Sequence, residues 1–435
     1  MSVYSLVASL VLGISMCIYP IHEREIEVDL FKQFAIDVGM EGDWISYLNA
    51  VLAQMYTGPA YKTTDTNILF EHYPELKNKL PYISLAHVPT PVEKLAALSK
   101  RYGVDVYIKR DDLTSSLYGG NKVRKLEYLL AQARACGATK VMTFGCAGSN
   151  HAVATAVQAH RMGMDAICML KHQPPSSVVQ RNLLMHLNYG SELHYSANND
   201  IRKLNAFIVW LDHYKHDGQA PYIIPTGGSN VIGTIGFVQA AFELAEQIKQ
   251  GVMPKPSHIY LPCGSCATTA GLLLGCKAAG LEVSIIAVAV EPDENSLFAP
   301  TIDRLFKETN QYLRSFDNSF PECTYTDADL RIERNFTGPE YGIFTDEGVK
   351  AAATMAKIEG IQLEGTYTAK ACAAMLADIK QHKRKRGSKE VILFWNTYCG
   401  FELTKQLVKT DYRELPRCLH DYFDDELLQP LEKKK

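Results

Sequence analysis

The sequence lacks a charge imbalance that would draw it to a polyelectrolyte. Its 435 residues carry a formal net charge of −3, so no general attraction to nucleic acid is implied. It also lacks a second Cys-x-x-Cys. The cysteines number 11, are scattered through apolar segments, and show that spacing only at Cys263-Gly264-Ser265-Cys266. A disulfide framework and a structural zinc site are therefore disfavoured, and buried free thiols in a reducing compartment fit better. The spacing Gly-x-x-x-x-Gly-Lys-Ser/Thr is missing, and no Gly-x-Gly-x-x-Gly follows a strand pattern, which argues against nucleotide and dinucleotide sites. There is no tandem repeat and no low-complexity tract.

What is present is an ordinary globular balance, 47% hydrophobic and 21% charged. A chain of this length can bury a large core and predicts two domains rather than one. Residues Ser2 to Ile21 carry no charged side chain. That stretch reads as a signal peptide, as an anchor giving membrane association, or as an N-terminal helix docked on the fold. Against a signal peptide, no Lys or Arg precedes it, and Met16 stands before Cys17 where a lipoprotein site has a small residue. Residues 1–80 form an N-terminal extension without a catalytic constellation. The basic run His382-Lys383-Arg384-Lys385-Arg386 lies between a helical pattern (Ala369 to Ile379) and a strand pattern (Val391 to Trp395). A solvated loop is expected there. Lys433-Lys434-Lys435 ends the chain as a charged tail.

From Pro89 the texture changes. A helical run to Tyr102 precedes a β-rich stretch, Val104 to Lys109, and the order then repeats. Helix Lys125 to Cys136, strand Lys140 to Phe144, helix Ala152 to Met162 and strand Asp165 to Leu170 follow in turn. A helix around Val178 to Leu187 and a strand near Glu192 to Tyr195 continue the alternation. Buried-type strands are also predicted at Tyr222 to Pro225, Ile259 to Pro262, Ile285 to Val290 and Val391 to Trp395. Helices alternating with short apolar strands predict an α/β protein with parallel sheet and helical crossovers.

In such sheets ligands bind beyond the carboxyl ends of the strands. One predicted strand end runs into Gly145-Cys146-Ala147-Gly148-Ser149-Asn150-His151 and a helix. Amides at that helix start suit a carboxylate, and Ser149 is also a good N-cap. A second leads to Thr226-Gly227-Gly228-Ser229-Asn230. A third leads to Cys263-Gly264-Ser265-Cys266-Ala267-Thr268-Thr269, small hydroxylated residues that make a phosphate cup without a lysine.

The lysine comes from Tyr118-Gly119-Gly120-Asn121-Lys122. Glycines permit a tight turn there, and Lys122 stands at a helix mouth whose dipole disfavours a cation. Its amine is thereby biased towards the neutral nucleophile of Schiff-base chemistry; a solvated lysine after a turn is the plain alternative. A phosphate cup and such a lysine in an α/β protein suggest pyridoxal 5'-phosphate, with its aldehyde on Lys122.

Six blocks then converge. Pro89-Thr90-Pro91, Lys109-Arg110-Asp111-Asp112, Gly119 to Tyr128, Ser149-Asn150-His151, Ile224 to Asn230 and Gly338-Pro339-Glu340-Tyr341-Gly342 stand in order. Together they resemble the 1-aminocyclopropane-1-carboxylate deaminase and D-cysteine desulfhydrase family. The resemblance implies two open, mostly parallel twisted sheets flanked by helices, as in the β subunit of tryptophan synthase. It implies a large cofactor-binding domain (81–124 with 236–415), a small domain (125–235) and a tail (416–435).

Residue by residue, it implies Lys122 as the cofactor lysine and Lys125 as a structural one. Asn150 would meet the cofactor's ring hydroxyl, while Ser149, Asn150 and His151 would surround the substrate carboxylate. Gly264, Ser265, Cys266, Ala267 and Thr268 would wrap the phosphate. Tyr341 and Tyr367 would join Lys122 and Ser149 in the catalytic set as acids or bases; buried core tyrosines are the alternative for that pair. Thr368 occupies the position where the deaminases carry a glutamate facing the pyridine nitrogen. A hydroxyl leaves that nitrogen largely neutral, which suits β-elimination better than cyclopropane opening. His151 follows the desulfhydrase pattern too.

Three departures bear on the substrate: the N-terminal extension, Cys266 in the phosphate loop, and Asn396-Thr397-Tyr398-Cys399-Gly400 late in the chain. The expected function is elimination from a small amino acid to a 2-oxo acid and ammonia, D-cysteine being the first candidate substrate. Other β-substituted amino acids, aminocyclopropane carboxylate, and cofactor binding without turnover are the alternatives. A cytosolic homodimer is expected.

Overall fold

The structure, a computed structural model, describes residues 65–292, 297–382 and 390–429. Residues 2–21, the basic run 383–386 and the C-terminal lysines lie outside the described residues. Among the described residues, no helix is long and apolar enough to cross a membrane.

Ten strands are described: β1 (Val92–Lys94), β2 (Asp105–Lys109), β3 (Lys140–Cys146), β4 (Asp165–Lys171), β5 (Glu192–Ser196), β6 (Tyr222–Ile224), β7 (His258–Cys263), β8 (Ser284–Ala289), β9 (Leu330–Glu333) and β10 (Val391–Trp395). They form a six-stranded sheet, ordered β1-β2-β10-β7-β8-β9, and a four-stranded sheet, ordered β5-β4-β3-β6. Every pairing is parallel except that of β1 with β2. The α/β expectation holds, with parallel sheets flanked by helices. Strands β7, β8 and β10 are apolar on both faces because helices cover both sides of the sheet.

Several boundaries differ from the sequence expectation. The helix expected from Lys125 runs Lys122–Ala135, so the lysine is its first residue rather than its forerunner. The helix expected from Ala152 runs Asn150–Arg161. Strand β3 extends to Cys146, because its register with β4 continues to the pair Cys146↔Lys171. Long helices Asn199–Asp217, Val231–Lys249, Phe298–Phe316 and Asp346–Glu359, and the short strands β1 and β9, stand beyond the predicted pattern.

Three helices pack backbone to backbone beneath the strand ends. A Cβ at Gly236 would collide with the Arg124 carbonyl, and one at Gly271 would meet the Thr234 carbonyl oxygen at 2.5 Å. Glycine is thus required for helix Val231–Lys249 to touch both Lys122–Ala135 and Ala267–Ala278. That contact fixes the lysine and the phosphate-type loop relative to each other.

A buried charge network pins the same helices. The Arg124 guanidinium donates to Asp111 at 2.7 and 2.9 Å and to Glu243 at 2.9 and 3.0 Å. Lys109 Nζ donates to Glu243 Oε1 and Gln247 Oε1, both at 2.6 Å, and Trp395 Nε1 donates to Asp111 at 2.7 Å. Two cations meet two carboxylates, all buried. This accounts physically for most of the Lys109-Arg110-Asp111-Asp112 block: Lys109 and Asp111 brace the helix that begins with Lys122.

Candidate active site

A cavity of about 470 Å³ opens between the two sheets at the carboxyl ends of β3, β4, β7 and β10. Its floor is Lys122. The turn before it is held by Gly120 N–H donating to the Asp111 carbonyl at 3.0 Å and Asn121 N–H to the Thr397 carbonyl at 3.1 Å. Lys122 Nζ donates to Asn121 Oδ1 at 3.2 Å. Its pKa is lowered to about 8, by burial first, with Glu364 and Cys263 opposing. To the helix dipole read from the sequence, the fold adds desolvation. Lys125 lies one turn on, buried, and donates to the Gly227 carbonyl at 3.0 Å, the structural tie expected of it.

On the small-sheet side, Ser149 caps helix Asn150–Arg161, its hydroxyl accepting from Ala152 N–H at 3.2 Å. Asn150 Oδ1 accepts from the Tyr118 hydroxyl at 2.8 Å and from Asn182 Nδ2 at 3.0 Å. With its oxygen held twice, its amide nitrogen is the group left to donate into the cavity. His151 lines the cavity and pairs through Nε2 with Thr143 Oγ1 at 2.9 Å. Burial, then Lys122 and Lys125, hold this imidazole well below its ordinary pKa, so it is neutral.

Opposite lies the loop between β7 and helix Ala267–Ala278. Gly264, Ser265, Cys266 and Thr268 line the cavity. Cys266 has φ 71°, the left-handed region where glycine is the ordinary occupant, and no side chain caps the helix. Ala267 N–H donates to the Ser265 carbonyl at 3.0 Å, and the amides that follow it in the first turn can face a ligand. Ser265 Oγ accepts from Ser229 Oγ at 2.7 Å, and Asn121 Nδ2 donates to Thr268 Oγ1 at 3.0 Å. The Cys263 and Cys266 sulfurs are 3.9 Å apart and not bonded as a disulfide.

The Tyr341 and Tyr367 hydroxyls are 2.8 Å apart, their rings edge to face at 75°. Burial, first, raises both phenols, so both keep their protons at neutral pH. They are acids in the resting site, not bases.

Two expected residues are not in the cavity wall. Ala267 and Thr368 are fully buried behind it. Thr368 Oγ1 instead accepts from Glu364 N–H at 3.0 Å and donates to the Glu364 carbonyl at 3.4 Å. Glu364 lines the cavity in its place. Its carboxylate takes the amides of Thr366, Tyr367 and Thr368 at 2.9, 2.7 and 2.9 Å. Burial raises its pKa while those three amides oppose the rise. A carboxylate shortly before a helical run is a capping signal legible in sequence; Tyr118, Asn182 and Gln173, brought in from distant segments, have no such signal. The late block 396–400 does reach the site, through Thr397 and Tyr398.

The model of a family described as pyridoxal-phosphate dependent enzyme matches residues 83–397. A candidate 1-aminocyclopropane-1-carboxylate deaminase of Thermotoga maritima is 33% identical over 326 residues, covering 74% of this chain and 98% of that protein. A D-cysteine desulfhydrase of Klebsiella pneumoniae is 32% identical over 313 residues, covering 71% and 91%. The crystal structure of an ACC deaminase homologue superposes with a TM-score of 0.64 at 31% identity, covering 79% of this chain and 99% of that one. A fungal L-serine ammonia-lyase from Rhizomucor miehei, 16% identical with a TM-score of 0.50, shares the fold.

Proposed function

The chain belongs to the family of pyridoxal-phosphate-dependent enzymes, and we propose that within it the protein eliminates the β-substituent of a small amino acid, D-cysteine first, yielding a 2-oxo acid and ammonia. The observation that carries this reading is the convergence of Lys122, two anion-receiving helix starts and a protonated tyrosine pair in one cavity.

The residues fit the cofactor. The uncapped start of helix Ala267–Ala278, with Gly264 to Thr268, would hold its phosphate; Asn150 would donate to its ring hydroxyl; Lys122 would bond its aldehyde. The cavity volume lies in the range that takes a cofactor and a small substrate. When bound, the cofactor supplies an electron sink for negative charge at the substrate α-carbon. The chain's own groups do the rest. Ser149 and the amides beside it, with His151, hold the substrate carboxylate. Lys122 Nζ would take the α-proton, for which an amine whose pKa burial lowers to about 8 is well matched. The Tyr341–Tyr367 pair delivers a proton to the departing group. Thr368 positions Glu364, whose amide and carbonyl it holds.

Glu364 also favours a second reading, because a buried carboxylate in the wall resembles the deaminase arrangement more closely than a hydroxyl does. The test is a pair of assays on purified enzyme. Pyruvate from D-cysteine with no 2-oxobutanoate from aminocyclopropane carboxylate supports the first reading; the reverse selects the second; cofactor absorbance without either product refutes both substrates and directs the assay to other β-substituted amino acids.

Two further outcomes are expected. Tyr367→Phe should lower turnover roughly 100-fold with cofactor absorbance retained, because it removes one hydroxyl of the relay and leaves the ring; unchanged turnover would leave the pair without a catalytic role. The rate at which apo-protein takes up pyridoxal phosphate should rise with pH through about 8, since only the neutral amine attacks an aldehyde. A rate flat across that range would contradict Lys122 as the acceptor.

A cytosolic homodimer is part of the proposal. The family resemblance supports the dimer, and the free state of every cysteine among the described residues supports a reducing compartment. Fractionation of the full-length protein tests this against membrane association through residues 2–21. The two-domain division at 124/125 and 235/236 is proposed with it, each part centred on one sheet.

A further inference from the structure

The family match ends at residue 397, yet the chain continues in short 3-10 turns, Arg417–Phe423 and Asp425–Leu427. These residues, expected as a tail, pack on the small-sheet side, where Leu415, Leu419 and Tyr422 join the hydrophobic cluster of Val179 and Leu183. Two polar side chains of this strap reach the walls of the active site.

The first is Gln429. Its Oε1 accepts from Phe344 N–H at 2.8 Å, and its Nε2 donates to the Gly342 carbonyl at 3.0 Å and the Pro175 carbonyl at 3.4 Å. One amide thus joins the loop after β4 to the loop that carries Tyr341. Phe344 in turn presses its ring where a side chain at Gly365 would stand, two residues before Tyr367. Both catalytic tyrosines therefore lean on a segment that Gln429 holds. The second is Tyr422. Its hydroxyl accepts from Gln173 N–H at 3.2 Å and pairs with His172 Nδ1 at 3.1 Å. Gln173, buried in the cavity wall, accepts from Gly148 N–H through Oε1 at 3.1 Å. The packing at Gly148 is close: a Cβ there would lie 2.6 Å from Val179 Cγ2 and 2.9 Å from Gln173 Nε2. The loop that offers Ser149 to the substrate carboxylate is thus braced from the strap as well.

We propose that the C-terminal strap positions both walls of the active site, Gln429 acting on the tyrosine wall and Tyr422 on the carboxylate wall through Gln173. Neither touches the cavity, so both are positioning residues. The two act on different steps. Loosening Gln429 misplaces the proton donors and lowers kcat; removing the Tyr422 hydroxyl frees the Gly148 loop and raises KM. Displacements well under 1 Å at such groups are worth about tenfold.

The experiment uses the full-length holoenzyme and three variants. Gln429→Ala and Gln429→Glu are expected to lower kcat about tenfold with KM and cofactor absorbance unchanged. The glutamate keeps the shape and the acceptor for Phe344 N–H but loses both donors to carbonyls. Tyr422→Phe is expected to raise KM about tenfold with kcat kept. Wild-type kinetics in Gln429→Glu, or a kcat loss that merely follows cofactor loss, would overturn the assignment. The kinetic arm rests on the elimination reading, so a second arm does not. Amide hydrogen exchange in peptide 340–346 is expected to quicken in both Gln429 variants, with core strands unchanged. Unchanged exchange there refutes the strap whatever the substrate is, whereas faster exchange with no turnover of D-cysteine refutes only the substrate.

Discussion

Lys122→Ala is expected to abolish elimination, by roughly 10⁴-fold or more, and to remove the visible absorbance of the bound cofactor. The lysine is asked to do two things that no neighbour can take over. It is the cavity-floor amine beside the phosphate-type loop, and its pKa near 8 makes it both nucleophile and base. Lys125, one turn away, cannot replace it, since its Nζ is committed to the Gly227 carbonyl. Lys370 is held on the Val290 carbonyl at 2.9 Å and lies outside the cavity wall. Pyruvate formation and an absorbance scan read the two effects together. Residual activity above 1% of wild type, as an order of magnitude, would remove Lys122 from the α-proton step. The variant also has a pH signature. The folded pKa of Lys122 is depressed, so between about 8 and the usual lysine value the unfolded chain holds a proton that the folded one has released. Wild-type apo-protein should therefore gain stability as pH rises through that window. Lys122→Ala should gain less over that window, the lowered amines of Lys125, Lys109 and Lys370 still contributing, which urea titrations at two pH values would show.

The largest expected stability effect lies away from the cavity, at Glu243. Replacing it by alanine leaves Arg124 and Lys109 buried with one carboxylate, Asp111, between them, and should cost about 3–5 kcal/mol. Arg124 stands two residues after Lys122 on the same helix, so a partial failure should appear as lost cofactor affinity before global unfolding. Burial alone would push the Glu243 carboxyl up; Arg124 and Lys109 outweigh it and hold it at about 2. Its stabilising contribution is therefore complete above the unfolded carboxylate pKa and disappears as pH falls towards 2. Denaturant midpoints of wild type and Glu243→Gln at neutral pH and near pH 3 would test this. The gap should be wide at neutral pH and narrow in acid; an equal gap at both would deny the ion pairs their role.

These two sites show how legible the protein was in its sequence. The alternation of helices and apolar strands, and the strand-end loops, are local patterns. They follow from which residues suit each backbone, so β10 was predicted residue for residue. Lys122, Ser149 and the Gly264 to Thr268 loop were readable because glycine turns and helix starts announce themselves in consecutive residues; Asn150 came from the family resemblance. The chain alone therefore determined the fold class, and it singled out Lys122 and the strand-end loops as candidates. The tertiary structure decided what depends on depth and on distant partners. It moved Thr368 and Ala267 behind the wall and brought Glu364 into it, because the turn that leads into helix Thr368–His382 presents three amides to one carboxylate. It added burial as a cause of the low pKa of Lys122, and made Tyr341 and Tyr367 a protonated pair. It also turned the stretch after Pro416 from a tail into a brace, through hydrogen bonds between residues up to 254 positions apart. Desolvation and long-range hydrogen bonding have no period along the chain; they exist only once the two sheets face each other.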